Sequence, residues 1–408
     1  MMSRFISRDT KYFLIIILVF LTGSIETDIY LPAFPDMMDF FKTNEETIQN
    51  ILSWNFLGIC LSCPFYGPLS DSFGRRWSLL GALGLFLLGS IGTVFATSIE
   101  QMLLYRIFQG LGTGGCFTIG SAITFDVWQE KKAVKVVNIT NYIIPIAMAG
   151  APILGGYLNQ MYGFRSNFIA IALCALTSFI LCVSLLEETH PAEKRKPFDV
   201  PSIMGDFFTA LRCWGFWAPT LMICCSFAGY LTYVSNISIL FVNHMDIDVR
   251  IFPLYQTTIL LGFVSASLLA NRLIDSWGMQ TVKKRGLILS FVGGVGFVVS
   301  SLFSANSPNI FQIWMTIFAF GAGWMVGPFF VEGMESLPEI KGVVGSLMTS
   351  FRLAFTAIMI NLTGRYFDGT VYPLVYAIGG ALLIKLLVLF GSYSKKEKAS
   401  SGALVADV

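Results

Sequence analysis

Twelve long apolar runs decide what this 408-residue chain can fold into. A bilayer core of about 30 Å is crossed by about 20 apolar residues in a helix. Inside lipid every backbone amide must find a partner within its own segment, so such runs read as helices. They fall at 12–34, 48–69, 77–97, 101–125, 135–158, 166–186, 214–242, 253–272, 286–304, 310–331, 342–363 and 372–393. The expected fold class is an all-α membrane protein. Composition agrees, because 13% of the residues are charged, against roughly a quarter in a soluble domain. The first run starts basic but continues without a small-residue cleavage site, so it reads as a span and not as a removed leader.

The basic residues sort by side. With a cytoplasmic N-terminus, twenty Lys and Arg lie in cytoplasmic segments, including Arg75, Arg76, Lys131, Lys132, Lys283, Lys284 and Arg285. Lys42, Arg165, Arg250 and Arg365 lie opposite, and Arg106, Arg352 and Lys385 lie inside spans. Positive residues resist translocation, so both termini are expected in the cytoplasm, as in a multi-pass protein of a bacterial inner membrane. The longest polar interval divides the spans six and six. The expected units are a bundle at 1–186, a linker at 187–213, a second bundle at 214–394 and a cytoplasmic tail at 395–408. Asp71-Ser-Phe-Gly74 recurs as Asp275-Ser-Trp-Gly278, half the chain length away and at the equivalent loop. Two related six-helix halves imply a central cavity that opens alternately to each side.

Other classes find little support. The two His are far apart, and the eight Cys fall in or beside apolar spans. Cys60 and Cys63 form a CxxC without a second ligand pair, which reads as small buried side chains. There is no nucleophile–base cluster, no metal spacing and no GxxxxGK[ST] loop for ATP. No enzyme, cofactor or nucleic-acid partner is expected.

At this point the residues carry a resemblance. Gly67-Pro-Leu-Ser-Asp71-Ser-Phe-Gly74-Arg75-Arg76 resembles the loop signature of major facilitator transporters. Tyr105-Arg106-Ile-Phe-Gln109-Gly110 is similar to their second motif. Gly150-Ala-Pro152-Ile-Leu-Gly155-Gly156 resembles the fifth-span motif of proton-driven antiporters, with Ala147 and Ala151 where glycines are usual. Thr27-Asp28-Ile-Tyr30-Leu-Pro32-Ala-Phe-Pro35 resembles the first span of the twelve-helix drug:proton antiporters, above all the bicyclomycin and chloramphenicol resistance subgroup. The resemblance implies twelve helices in two pseudo-symmetric bundles and a proton-coupled exporter.

Each motif also has a physical reading. Gly67 and Gly74 permit a tight turn, and Asp71, Arg75 and Arg76 supply charges for a conformational latch. Glu26 and Asp28 are acids at bilayer depth, where a lone carboxylate is costly and marks function. Two residues apart, they point roughly 200° apart on a helix, unless it unwinds toward Pro32. The family pattern assigns the proton to Asp28, with Arg106 at matching depth as its expected partner and Glu26 as a second acid. Gly150, Pro152, Gly155 and Gly156 suggest a bent, closely packed span that seals the cytoplasmic cavity against proton leak. Tyr30, Asn55, Asn141 and Arg352 are expected in the substrate cavity, Arg352 either on an anionic group or in an inner-gate ion pair with Glu332 or Glu335. The expected function is proton-coupled export of a small organic molecule, a drug or a metabolite. The alternative is export, or import by proton symport, of one metabolite such as a siderophore or other anionic chelate. The expected partners are that molecule, protons and the bilayer, and one complete pathway suggests that a monomer suffices.

Overall fold

The computed structural model describes residues 7–128, 130–195, 197–248, 250–303 and 307–406. Of these, the side chains at 130–135, 137, 138, 141, 142, 145, 194, 271 and 393–406 lie outside the description. The helices are α1 (Arg8–Ile25), α2 (Phe34–Phe41), α3 (Glu45–Phe73), α4 (Arg75–Phe95), α5 (Ile99–Val127), α6 (Glu130–Tyr162) and α7 (Arg165–Leu185). They continue as α8 (Val200–Arg212), α9 (Trp214–Ile239), α10 (Phe252–Trp277), α11 (Met279–Phe303), α12 (Pro308–Glu335), α13 (Lys341–Arg365) and α14 (Tyr372–Ala406). Twelve follow the apolar runs in order; α2 and α8 are additions. Helix α8 lies within the expected linker and buries Phe207 and Ala210 against the second half. Helix α14 continues through most of the expected tail.

Among the described residues, eight helices are apolar enough over one stretch to cross a membrane by length and composition alone. The long helices outside that set are α1, α3, α5 and α6, all in the first half. Polar residues such as Gln49 and Asn55 on α3, and Arg106, Gln109 and Thr113 on α5, lower their apolar average. These side chains are buried; Gln49 donates to Asn236, and the others bond around Glu26 and Arg106.

The first apolar run is not one helix. Ser7 caps α1 by accepting from the Thr10 amide, and α1 stops at Ile25. Residues 26–30 form turns, Leu31–Ala33 a 3₁₀ turn, and α2 then runs to Phe41. Pro32 and Pro35 lack the amides that a continuous helix needs at those positions. The break sits where the two acids are, so Glu26 and Asp28 are released from helical spacing. Non-helical backbone at membrane depth is tolerated where protein surrounds it, and residues 28–34 are buried throughout.

The repeat seen in the sequence is present in three dimensions. Gly74 joins α3 to α4 with φ 93°, and Gly278 joins α10 to α11 with φ 78°. Both occupy the left-handed region open to glycine. The basic residues beyond the joints differ in sequence position yet do comparable work. Arg75 Nε meets Asp126 at the end of α5 at 2.9 Å, and Lys283 Nζ meets Glu332 at the end of α12 at 2.6 Å.

Side-chain bridges between the halves gather at the end remote from the linker, here the far end. Gln49 Nε2 donates to Asn236 Oδ1 at 2.8 Å, and Ser53 Oγ to the Ala357 carbonyl at 3.2 Å. Asn361 Nδ2 donates to Asn50 Oδ1 at 2.5 Å, and His244 Nε2 meets Glu45 Oε1 at 2.8 Å. Helices α3 and α13 pack together along this seam, so the far end is closed.

Candidate functional site

The centre of the site is an ion pair without solvent. Arg106 Nη1 lies 2.8 Å from Glu26 Oε2, and both side chains are 0% exposed. Glu26 also accepts from Thr113 Oγ1 at 2.8 Å and from Asn55 Nδ2 at 3.0 and 3.2 Å. Arg106 donates to Gln109 Oε1 at 2.7 Å, to the Tyr30 hydroxyl at 2.8 Å and to the Ile51 carbonyl at 3.3 Å. Gln109 passes the chain on to Ser90 Oγ at 2.9 Å. The guanidinium also lies over the Tyr30 ring, 4.6 Å from its centroid. A buried ion pair is stable only when nearly every donor and acceptor is matched, and this one has partners on three helices and the 26–30 turn.

Helix packing sets that geometry. A Cβ on Gly110 would strike the Asn55 carbonyl, and one on Gly58 would strike the Ile107 carbonyl. Only glycines let α3 and α5 come close enough for Asn55 and Arg106 to share one carboxylate.

The expected partner of Arg106 was Asp28, and the structure corrects this: the carboxylate on Arg106 is Glu26. The turn at 26–30 sends the two acids to different surroundings. Asp28 is 1% exposed and accepts from Thr27 Oγ1 at 3.1 Å. Among the described residues no cation lies within ion-pair distance of it. Its charge reaches the hydroxyl of Tyr230 on α9, in the other half. Tyr30 and Asn55, expected in the substrate cavity, are instead fully buried supports of the ion pair. The side chain of Asn141 lies outside the described residues. Thr113 went unnoticed in the sequence, although Arg106, Gln109 and Thr113 repeat at three and four residues on one face of α5, a helical stripe of polar groups.

The remaining expected residues divide. Arg75 forms a knot within its own half: it meets Asp71 at 2.5 Å, Asp126 at 2.9 Å and Ser70 Oγ at 2.5 Å. Its amide donates to Glu188 at 2.8 Å, which ties the knot to the linker. A Cβ on Gly67 would meet Thr118 at ordinary contact distance, whereas one on Gly74 would strike Glu188 and Arg195. Arg76, half-buried, reaches the Val183 carbonyl at 3.1 Å. Arg75→Ala should therefore lower the thermal midpoint of purified protein by the equivalent of about 1.5–3 kcal/mol. Arg76→Ala should cost less than about 1 kcal/mol.

Gly155 and Gly156, expected to help seal a cytoplasmic cavity, make their contacts near the far end of α6. A Cβ on Gly155 would strike the carbonyl of Ile29 in the turn after α1, and one on Gly156 would strike Pro253 at the start of α10. Pro152 is buried on the same helix, whereas Gly150 is exposed with open space around it. The motif thus brings α6 onto the broken first span and onto the second half.

Of the cations in the second half, Lys385 is fully buried, donates to Ser290 Oγ at 2.8 Å and lies 4.8 Å from the Phe318 ring centroid. Glu332 is taken by Lys283, so it does not form the gate pair expected with Arg352.

Two helical bundles with charged groups held between their spans define a class, a multi-pass membrane transporter and not an enzyme. The chain belongs to the Major Facilitator Superfamily, whose family profile matches residues 12–360. Among its relatives is the bicyclomycin resistance protein homolog of Haemophilus influenzae, 24% identical over 379 residues, or 91% of this chain and 93% of the relative. The chloramphenicol resistance protein of Pseudomonas aeruginosa is 25% identical, covering 70% of this chain and 68% of the relative. Multidrug resistance protein D of Escherichia coli is 23% identical, covering 87% and 89%. The fold is similar to that of the Escherichia coli xylose transporter XylE in a partially occluded inward-open conformation. That match has a TM-score of 0.68 at 14% identity and covers 93% of this chain and 96% of the other. The human organic anion transporter MFSD10 matches with a TM-score of 0.70 at 16% identity, covering 94% and 99%.

Proposed function

We propose that this chain exports a small organic molecule across the inner membrane in exchange for protons. The observation that carries the reading is the division of labour between two acids two residues apart. Glu26 is neutralised by Arg106, and hydrogen bonds with Thr113, Asn55, Gln109, Tyr30 and the Ile51 carbonyl surround the pair. Asp28 is equally buried, and among the described residues no cation lies within ion-pair distance of it. A carboxylate at that depth costs several kcal/mol, and binding a proton removes the cost. Asp28 is therefore the proton carrier, and Glu26–Arg106 is the fixed charge pair that holds the turn around it.

The coupling is conformational. With the far end closed, Asp28 is buried in the first-span turn, whose next residue, Ile29, meets Gly155 of α6. Separating the halves at the far end would wet Asp28 and let it exchange its proton with the opposite side. Under the charge-based orientation the far end is external. A proton taken up there then favours closure, and release toward the cytoplasm resets the cycle. The drug-resistance names of the relatives favour export over import.

Everted membrane vesicles with an acid lumen test this directly, using chloramphenicol, a lipophilic cation and an aromatic carboxylate as separate probes. For one-for-one exchange of a neutral probe, a gradient of one pH unit should support about tenfold accumulation in the lumen. A protonophore or Asp28→Asn should abolish it. Accumulation that persists in Asp28→Asn would assign the proton to another group. Probe leaving the lumen together with protons would establish symport and import.

A further inference from the structure

We infer that Arg352 is the anion-binding end of the substrate site, and that the transported molecule is an organic anion with a flat apolar body. This rests on the exporter reading for the direction of transport, but not for the binding chemistry.

Arg352 stands at the middle of α13, twelfth of its 25 residues. At about 1.5 Å per residue it is some 16 Å from one end and some 20 Å from the other, too deep to reach headgroups on its own. A guanidinium keeps its charge in proteins, so at this depth it needs an anion or a wet cavity. Among the described residues it has no ion pair, and its side chain makes no hydrogen bond. Its Nε is buried without a partner, while the residue as a whole stays partly exposed. Its ionisable neighbours are the thiols of Cys63 on α3 and Cys224 on α9, one from each half. Every other buried arginine described here is spoken for: Arg106 by Glu26, and Arg75 by Asp71 and Asp126. Arg352 alone presents a planar fork of donors to the seam between the halves with nothing to receive them.

The surroundings specify the rest of the ligand. The guanidinium lies over the Phe227 ring at 4.3 Å. Phe227 leads to Tyr230 and Phe263, with centroids 6.2 and 6.5 Å away, and Tyr230 stacks on Phe263 at 5.4 Å and 19°. Tyr230 is electrostatically coupled to Asp28. The strip therefore runs from a donor fork across three aromatic rings, the last of which feels the charge of the proton carrier. A carboxylate or sulfonate on Arg352 would form a bidentate, charge-assisted pair, and its flat body would lie along the rings. Filling the strip brings ligand against Tyr230, which is electrostatically coupled to Asp28, so the ligand can influence the proton site without direct charge competition.

The probes are naphthalene-2-carboxylate, its neutral amide and 2-naphthylmethylammonium, titrated by calorimetry into purified full-length protein in lipid nanodiscs. Wild type is expected to bind the carboxylate about ten- to a hundredfold tighter than the amide, the range of a charge-assisted hydrogen-bonded pair. The ammonium should bind weakest. Arg352→Gln should erase the preference while amide affinity stays within about threefold, and Arg352→Lys should keep part of it, because a point charge attracts the anion without the fork. The charge preference of the wild type needs no variant, so a misfolded substitution leaves the test intact. Wild type that binds the carboxylate no tighter than the amide, or not at all, overturns the inference. So does an Arg352→Gln protein that retains the preference. Intact preference at Arg352 together with vesicle transport indifferent to the proton gradient would leave this site standing and remove the exporter reading instead.

Discussion

Arg106→Ala is expected to abolish transport and to lower the thermal midpoint of the purified protein by the equivalent of about 3–5 kcal/mol. Removing one member of a buried pair strands the other charge, and that penalty exceeds what the pair contributes relative to an apolar replacement. Here the stranded group would be Glu26, with Thr113 and Asn55 still aimed at it. Glu26→Gln should be destabilising for the mirror reason. The double variant Glu26→Gln/Arg106→Gln should recover part of the loss, since no charge is then left unpaired. The two single effects would thus fail to add, with an interaction of about 0.5–3 kcal/mol read by a thermodynamic cycle. Asp28→Asn should behave differently, with a midpoint within about 1 kcal/mol of wild type and transport lost. An Asp28→Asn protein as unstable as Arg106→Ala would mean that Asp28, and not Glu26, is integrated into the charge network.

The second large effect is expected at Gly155. A leucine there would drive its side chain into the Ile29 carbonyl of the first-span turn, and backbone cannot give way as a flexible side chain does. Overpacking of this kind costs typically 1–3 kcal/mol. It falls on the far-end-closed state, because that is where α6 meets the turn and Gly156 meets Pro253. A bias of that size shifts the conformational balance by about 5–150-fold. Gly155→Leu should therefore slow transport strongly and speed maleimide labelling of a cysteine placed at Asn361, in the closed seam. Gly150→Leu, in the same motif but with open space around it, should leave both rates near those of the parent. Equal effects at the two glycines would show that the motif acts through general helix flexibility instead of through contact with the first span.

Much of the architecture was legible in the sequence because its causes are local. Lipid forces backbone pairing within each segment, so eleven of the twelve runs became single helices, while the first broke at Ile25 and several helices ran past the expected ends. The duplicated Asp–Ser–aromatic–Gly sequence recurs as two positive-φ joints for the same steric reason at Gly74 and Gly278. The acids of the first span and Arg106 were visible as charges where lipid tolerates few.

Pairing and closure were decided only in three dimensions. Sequence depth made Asp28 and Glu26 equivalent candidates for Arg106, and the family pattern favoured Asp28. The choice went to Glu26 because the helix ends at Ile25, ahead of two prolines, and because Gly58 and Gly110 let α3 deliver Asn55 to the same carboxylate. Tyr30 and Asn55 looked like cavity residues for want of any sign that Arg106 would claim one and Glu26 the other. Likewise, nothing in the chain order marks Arg352 as a mid-span arginine left without an acid among the described residues, since Glu332 was available until Lys283 took it. Spans follow from the transfer of each segment into lipid, which one stretch of sequence specifies. Charge partners follow from which helices touch, and that is a property of the packed bundle alone.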